Sequence, residues 1–225
     1  MDKIDINKEK LVIEHYVLAH RLKNLIRTGW KNWNLNSERL ESVAEHIYGT
    51  QQLAILMAKT YEYDIDLEKV ILMLALHETE EIFIGDLTEF EITKEEKSRL
   101  GQKAVHDFFK NILNGKEIEN LINEFDERKT KEAIFAFQCD KLECDLQAKL
   151  YDEEGKMRYD KNGKIDMTYQ KNNLTINGKQ VNLLLNSNMS WSEIWLESNI
   201  KKYNYDINFK KVSTYARNHE ISFKQ

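Results

Sequence analysis

The chain has 225 residues, of which 41% are hydrophobic and none is proline, and its formal net charge is −5. This length suits one domain with a sizeable core, or one domain with an elaboration. An acidic chain without a basic tract is not expected to bind nucleic acid polymers or anionic membranes, whereas a small anionic substrate in a local pocket is compatible with it.

The composition favours an all-α protein, because proline, which breaks helix interiors, is absent and glycine is scarce. The first ten residues lack the apolar core of a signal peptide, and no apolar run approaches the roughly 20 residues of a membrane span. We therefore expect a cytoplasmic protein. Its two cysteines, Cys139 and Cys144, do not form a CxxC pair and are expected to be free thiols.

Helical periodicity begins near the N-terminus. Apolar residues at three- and four-residue spacing predict an amphipathic helix over residues 9–26, with Gly29 as a cap after its C-terminal end. A second helix is predicted to open at Ser42, because Ser42 and Glu45 have the spacing of a capping box. His46 falls in the first turn of that helix, on its apolar face.

The central stretch is residues 70–86, VILMLALHETEEIFIGD. Seven apolar residues run into His77, and four non-apolar residues follow, three of them glutamate. A helix that is apolar on every side must be buried on every side, and carboxylates there need a partner, because unpaired buried charges are costly. In one continuous helix, His77 and Glu81 would share a face, and Glu78 would lie about 100° from His77.

Three further helices are predicted over residues 93–113, 116–128 and 130–151. In the last of these, Asp140 lies among small and apolar side chains, so it is expected to be a ligand, to pair with Lys or Arg, or to cap a loop. The pair formed by His106 and its neighbouring aspartate has polar neighbours, and we assign it to a solvated helix face.

The amino-acid composition becomes more polar after residue 151. Residues 152–189 are polar, and the sequence LTINGKQV at 174–181 predicts a β-hairpin with a type I′ turn. Residues 190–225 contain two further amphipathic patterns that are expected to pack back on the core. The predicted organisation is therefore a helical metal-binding domain over 1–151, a polar insertion over 152–189 and C-terminal helices over 190–225. The insertion is expected either to cover the pocket or to form the contact of a homodimer.

Three separate helices thus each place a potential metal ligand in an apolar setting. These residues are His46, His77 with Glu78, and Asp140. Two imidazoles and two carboxylates suit one divalent transition-metal ion, such as Mn, Co, Fe, Ni or Zn, better than Ca or Mg, which prefer oxygen ligands alone. Each residue alone also has an ordinary interpretation as a satisfied core histidine or a paired carboxylate. Their joint occurrence on apolar faces favours the metal site.

At this point the chain resembles the HD-domain metal-dependent phosphohydrolases, in the branch that contains the bacterial 5′-deoxynucleotidases. The resemblance covers about residues 15–151, and the matching stretches, in order, are RTGW at 27–30, ESVAEH at 41–46, LHETEE at 76–81 through GD at 85–86, TKEEK at 93–97 and DKLE at 140–143. It implies an HD-domain helical core of five or six helices and a single metal ion held by His46, His77, Glu78 and Asp140.

The resemblance also implies an activity, which is removal of the 5′-phosphate from small (deoxy)nucleoside monophosphates. A metal ion would polarise a phosphoryl oxygen and acidify a water molecule. Glu81 would orient that water or move its proton, and Asp86 would accept a hydrogen bond from the sugar hydroxyl. Arg27 would bind the phosphate with its forked guanidinium, and Trp30 would pack on the sugar or base. A helix-end salt bridge and a core aromatic are equally open interpretations of these last two residues.

The sequence departs from the family pattern at Glu78, where the family has Asp, and in a longer loop between Trp30 and His46. One alternative is a nucleotide phosphodiesterase or pyrophosphohydrolase on the same scaffold. Its two-metal forms need additional histidines between the pair His77-Glu78 and Asp140, where the sequence has only His106. A second alternative is a nucleotide-binding protein whose catalysis is weakened by the extra methylene of Glu78. A third is a helical scaffold without a metal.

Overall fold

The computed structural model describes residues 7–88, 91–166, 168, 175–176, 179–180 and 189–222, and these are mostly helical. The expectation of a helical fold is confirmed. The helices are α1 Lys8–Ala19, a 3-10 helix His20–Lys23, α2 Thr28–Asn32, α3 Val43–Thr60, α4 Leu67–Leu76, α5 Glu81–Ile84, α6 Lys94–Phe109, α7 Gly115–Glu127, α8 Lys131–Glu153, α9 Trp191–Lys202 and α10 Ile207–Asn218.

Helix α8 is the centre of the fold. It is 23 residues long, and it packs against α3, α4, α7, α9 and α10. The main core lies where these helices meet, and its fully buried side chains include Val70, Met73, Leu74, Leu142 and Phe209. Because α8 is surrounded in this way, the polar residues on its buried faces must find partners within the protein.

Helix α3 begins with the capping box that the sequence predicts. The Glu45 backbone N–H donates to Ser42 Oγ at 3.3 Å, and the Ser42 N–H donates to Glu45 Oε2 at 2.9 Å. Just before this helix, residues 41–43 run antiparallel to residues 25–27. The Arg27 N–H donates to the Glu41 carbonyl at 3.0 Å, and the Val43 N–H donates to the Leu25 carbonyl at 2.8 Å. These bonds fix residue 27 beside the first turn of α3.

The prediction of one continuous helix through the central stretch is wrong. Helix α4 ends at Leu76, and hydrogen bonds of the i to i+3 type follow, such as Glu81 N–H to the Glu78 carbonyl at 3.1 Å, before α5 begins. Helix α4 is also not buried on every side, since 52% of the Leu72 surface is exposed. Gly85, at φ +76° and ψ 170°, ends α5 in a conformation that is nearly restricted to glycine.

The prediction that Gly29 caps the C-terminal end of the first helix is also wrong. Helix α1 ends at Ala19 and passes into the 3-10 helix, and Gly29 lies inside the short helix α2. The backbone N–H of Thr28, the first residue of α2, donates to Asp86 Oδ2 at 2.5 Å. A tertiary contact therefore starts a new helix where the local sequence is typical of an end.

Between α8 and α9 the structure describes a short antiparallel pair. Thr175–Ile176 pairs with Lys179–Gln180, with Thr175 opposite Gln180 and Ile176 opposite Lys179. The turn at 177–178 and most of the predicted hairpin lie outside the described residues. Two residue pairs do not by themselves form the predicted β-hairpin elaboration, which stays a prediction.

The C-terminal helices pack against the N-terminal part of the chain. Trp191 in α9 is fully buried, and its ring lies 6.1 Å from that of Trp30 and 5.6 Å from that of Trp33, measured between centroids. Tyr151 near the end of α8 completes this cluster. No helix in the part of the chain that the structure describes is long and apolar enough to cross a membrane.

We predict that Ser42→Ala lowers the free energy of unfolding by about 1 kcal/mol, because it removes the side-chain acceptor at the start of α3. Urea denaturation followed by circular dichroism measures this change. Ser98→Ala is the control, since Ser98 is exposed within α6, and it should change stability by less than about 0.5 kcal/mol. Equal stability of the Ser42 variant and the parent would contradict the proposed role of the cap.

Candidate metal centre and active site

Four side chains from three parts of the chain meet in the interior. His46 comes from α3, His77 and Glu78 follow α4, and Asp140 comes from α8. Each offers one donor atom, and the four donor atoms lie within 4.8 Å of one another. The His46 Nε2 atom is 3.2 Å from Asp140 Oδ1, and the His77 Nε2 atom is 3.9 Å from the same oxygen. The structure therefore brings together all four residues that the sequence analysis selected as ligands.

His77 presents an unpartnered nitrogen to this group. Its Nδ1 lies 2.8 Å from the Leu74 carbonyl, which can only accept, so Nδ1 carries the proton and Nε2 has a free lone pair. The Nε2 atom is buried and has no hydrogen-bond partner among the described residues. Burial lowers the pKa of His77, which favours the neutral imidazole that binds metal ions. A buried acceptor without a partner is costly, and a metal ion would satisfy it.

His46 is held by Glu143, to which the sequence analysis assigned no role. Its Nδ1 atom lies 2.5 Å from Glu143 Oε2, which orients the ring so that Nε2 faces Asp140. Gly49 on α3 gives Glu143 the space to do so, since a Cβ at Gly49 would overlap the Glu143 carboxylate. The sequence could have indicated this role through spacing, because Glu143 is three residues after Asp140 and so lies on the same helix face.

Glu78 reaches the group despite its extra methylene. Its Oε1 atom is 3.6 Å from His77 Nε2, 3.8 Å from His46 Nε2 and 3.0 Å from Arg27 Nη1. Burial by itself would raise the pKa of Glu78, but His77 and Arg27 lower it to about 2. The carboxylate is therefore ionised and close to both imidazoles.

Asp140 divides its two oxygens between the imidazoles and a lysine. Its Oδ1 faces His46 and His77, and its Oδ2 accepts from Lys141 Nζ at 2.8 Å. Although burial opposes ionisation, Lys141 and His46 hold the pKa of Asp140 well below its usual range. Two ionised carboxylates and two imidazole nitrogens at these distances fit a divalent metal ion.

Arg27 and Trp30 each form a hydrogen bond within the protein, and each also lines a cavity. Arg27 donates from Nη1 to Glu78 and from Nη2 to Cys144 Sγ at 3.2 Å. Trp30 is 2% exposed, and its Nε1–H donates to Glu41 Oε2 at 2.8 Å. The interpretations as an ion pair and a core aromatic are thus both correct, and both residues also line a cavity of about 170 Å³.

Glu81 and Asp86 line the same cavity as His77, Glu78 and Asp140. The Glu81 Oε2 atom is buried and has no partner among the described residues, while its Oε1 is 3.6 Å from Lys97 Nζ. Burial and the charges of Glu78 and Asp86 raise the pKa of Glu81 well above its usual range. The sequence predicts Glu81 near His77 because both would share one face of a continuous helix. Glu81 instead belongs to the separate helix α5, so its position near His77 does not come from a shared helix face.

A cavity of about 260 Å³ is lined by three of the four candidate ligands, His77, Glu78 and Asp140. Its lining combines the acidic group with basic side chains that could bind a phosphate: Arg27, Lys97, Arg128 and Lys141. His106, in contrast, is exposed and pairs with Glu119 at 3.3 Å. It is not part of this lining, in agreement with its assignment to a solvated face.

A family model described as HD domain matches residues 19–181. The chain is 34% identical over 150 residues to a Dictyostelium discoideum protein named 5′-deoxynucleotidase HDDC2, a match that covers 63% of this chain and 78% of that protein. The crystal structure of the PH0347 protein from Pyrococcus horikoshii OT3 has the same fold, with a TM-score of 0.65 at 20% identity over 92% of this chain and 98% of that one.

A third comparison involves a structure described as a predicted metal-dependent phosphohydrolase from Magnetospirillum magnetotacticum MS-1. It gives a TM-score of 0.55 at 26% identity and covers 70% of this chain and 79% of that one. With the family model matching most of its length, the chain belongs to the HD domain family. The family resemblance seen in the sequence is confirmed.

We predict that Gly49→Ala weakens the affinity for Mn²⁺ or Co²⁺ by about 10- to 100-fold, because the new methyl group displaces Glu143 and releases His46 Nδ1. Isothermal titration calorimetry measures the affinity, and circular dichroism should show that α3 is retained, since alanine is the better helix former. Gln52→Ala is the matched control on an exposed position of α3. Unchanged affinity in the Gly49 variant would show that Glu143 does not support the metal centre.

Proposed function

We propose that this protein is a phosphohydrolase that uses one divalent transition-metal ion to remove the 5′-phosphate from (deoxy)nucleoside monophosphates. The observation that carries the proposal is the convergence of His46, His77, Glu78 and Asp140 beneath a cavity with basic side chains. Membership of the HD domain family and the relatives named 5′-deoxynucleotidase support it. The identity of the ion, among Mn, Co, Fe, Ni and Zn, is for elemental analysis to determine.

In this proposal each side chain has a defined task. An ion held by the four ligands supplies a Lewis acid for a phosphoryl oxygen and lowers the pKa of a water molecule. Arg27 binds a phosphate oxygen with the N–H groups that its Glu78 contact leaves free, and the same contact keeps Glu78 in place. Glu81 orients the attacking water or moves its proton, and Asp86 accepts a hydrogen bond from the sugar hydroxyl. Trp30 packs on the sugar or base.

Two rival functions are less well supported. A two-metal phosphodiesterase would need another histidine near the centre, and His106 pairs with Glu119 on the surface instead. A nucleotide-binding protein with weakened catalysis would follow if Glu78 could not reach the ion. The contacts of Glu78 with both imidazoles and Arg27 favour the hydrolase.

The same proposal includes the organisation of the chain. We keep the division into 1–151, 152–189 and 190–225, with the middle segment as a hairpin-bearing elaboration that covers the pocket or joins two copies in a homodimer. The family model runs to residue 181 and so includes most of this segment. Gel filtration of the full chain tests the dimer.

We predict that His77→Ala and Asp140→Ala each abolish both metal retention and phosphate release, because each removes one of the four ligands of the ion. Elemental analysis of protein purified without chelator measures the first property. Phosphate release from a panel of deoxy- and ribonucleoside monophosphates measures the second. His106→Ala, at an exposed histidine, should behave like the parent. A metal-free parent, or a parent that is inactive on the whole panel with Mn²⁺ or Co²⁺ added, would refute the proposal.

The variant Glu78→Asp distinguishes the proposed hydrolase from a nucleotide-binding protein with weakened catalysis. We predict that Glu78→Asp lowers phosphate release by about 100-fold, because the carboxylate withdraws by about 1 Å from an arrangement built around Glu. Steady-state kinetics on the best substrate of the panel measures this effect. If the parent is inactive and the aspartate variant gains activity, the binding protein is the correct interpretation.

A further inference from the structure

Helix α9 lines a cavity beside the candidate active site, although it lies beyond the residues that match the family model. The match ends at residue 181, and α9 covers Trp191–Lys202. The cavity has a volume of about 170 Å³, and its lining includes Trp195 and Asn199 from α9 and Tyr203 directly after it. This helix therefore lies outside the residues that the family model matches.

The cavity adjoins the one over the metal ligands. Arg27, Asp86 and Lys141 line both. A substrate whose phosphate lies over the ligands can therefore extend past Asp86 into the second cavity. In a nucleoside monophosphate, the part that lies beyond the sugar is the base.

The walls of this cavity suit a flat heteroaromatic ring. Trp30, Trp195 and Tyr203 contribute aromatic surface, and the rings of Trp30 and Trp195 lie 5.6 Å apart at an interplanar angle of 48°. Aromatic side chains bind bases through their faces, and a small number of polar groups then fix the orientation of the ring.

The lining offers one buried donor without a partner and one side-chain amide that is held in a fixed position. The Trp195 Nε1–H is buried and has no acceptor among the described residues. The Asn199 amide is held by a donation from Nδ2 to the Asp145 carboxylate, which also accepts from Tyr205 Oη at 3.1 Å. This network fixes the Asn199 side chain, and no donor to its amide oxygen occurs within the described part of the chain. An indole donor and an amide acceptor are complementary to the ring nitrogens and exocyclic groups of a nucleobase.

We infer that the cavity formed by α9 against α2 binds the base of the substrate nucleotide, and that Trp195 and Asn199 determine which base is preferred. This inference rests on the proposed function. It assigns base selection to residues outside the family match, whereas the metal ligands lie within it.

The test compares substrates with and without a base. Phosphate release is measured for the four 2′-deoxynucleoside 5′-monophosphates and for 2-deoxyribose 5-phosphate, in the parent and in Trp195→Phe and Trp195→Leu. The parent should prefer its best nucleotide over the sugar phosphate. Trp195→Phe, which removes the N–H and keeps an aromatic ring, should raise KM for that nucleotide about tenfold with little change in kcat. Trp195→Leu should raise it further, and neither variant should alter kcat/KM for the sugar phosphate.

Trp191→Phe is the matched control on the same helix. Trp191 Nε1 is also buried without a partner, but the side chain is fully buried and does not line the cavity. This variant should leave KM for both kinds of substrate unchanged. Calorimetric titration of the metal-loaded parent with the four deoxynucleosides, which have no phosphate to release, gives a readout that does not require catalysis. The Trp195 variants should bind the preferred nucleoside more weakly than the parent.

The possible failures are distinguishable. If the parent releases no phosphate from any substrate, the proposed function fails, and nucleoside titration alone decides the inference. The inference is overturned if the parent hydrolyses 2-deoxyribose 5-phosphate as well as any nucleotide. It is also overturned if the Trp195 variants lose the same factor of kcat/KM on the sugar phosphate and on the nucleotide, because the cavity then does not recognise the base.

Discussion

The structure depends on the electrostatic balance of one buried group. Glu78 and Asp140 are both ionised, and they lie within 4 Å of the same two imidazoles in the protein interior. Such an arrangement is unfavourable unless positive charge compensates it. Arg27 and Lys141 each neutralise one carboxylate from its outer side. The four donor atoms lie within 4.8 Å of one another, and a divalent ion bound by them would add further positive charge to this group.

The surrounding residues keep the donor atoms oriented. The Leu74 carbonyl and Glu143 each bind the Nδ1 atom of one histidine, so that both Nε2 atoms face the carboxylates. Gly49 contributes by having no side chain, because any Cβ there would occupy the place of Glu143. These contacts explain how a helix as central as α8 can carry several carboxylates on buried positions.

The aromatic cluster connects this centre to the C-terminal helices. Trp30 packs against Tyr151 at a centroid distance of 5.4 Å and against Trp191 and Trp195 from α9. Trp30 is two residues after Thr28, whose backbone N–H donates a hydrogen bond to the Asp86 carboxylate. The position of α9 is therefore linked, through Trp30, to the loop that carries Asp86. A change in α9 can alter the cavity of about 170 Å³ without changing the candidate metal ligands.

The sequence by itself determined the helical class, the capped start of α3 and the four donor residues. Apolar periodicity marks the buried face of a helix, and polar residues on that face, such as His46 and Asp140, stand out against it. Only the tertiary structure decided that a turn follows Leu76, that a new helix starts at Thr28 and that Glu143 binds His46. Apolar periodicity indicates which side of a segment is buried. It does not indicate hydrogen bonds between residues that are distant in the chain, such as those of Thr28 with Asp86 and of Glu143 with His46. It also does not show where helical hydrogen bonds give way to a turn, as they do after Leu76.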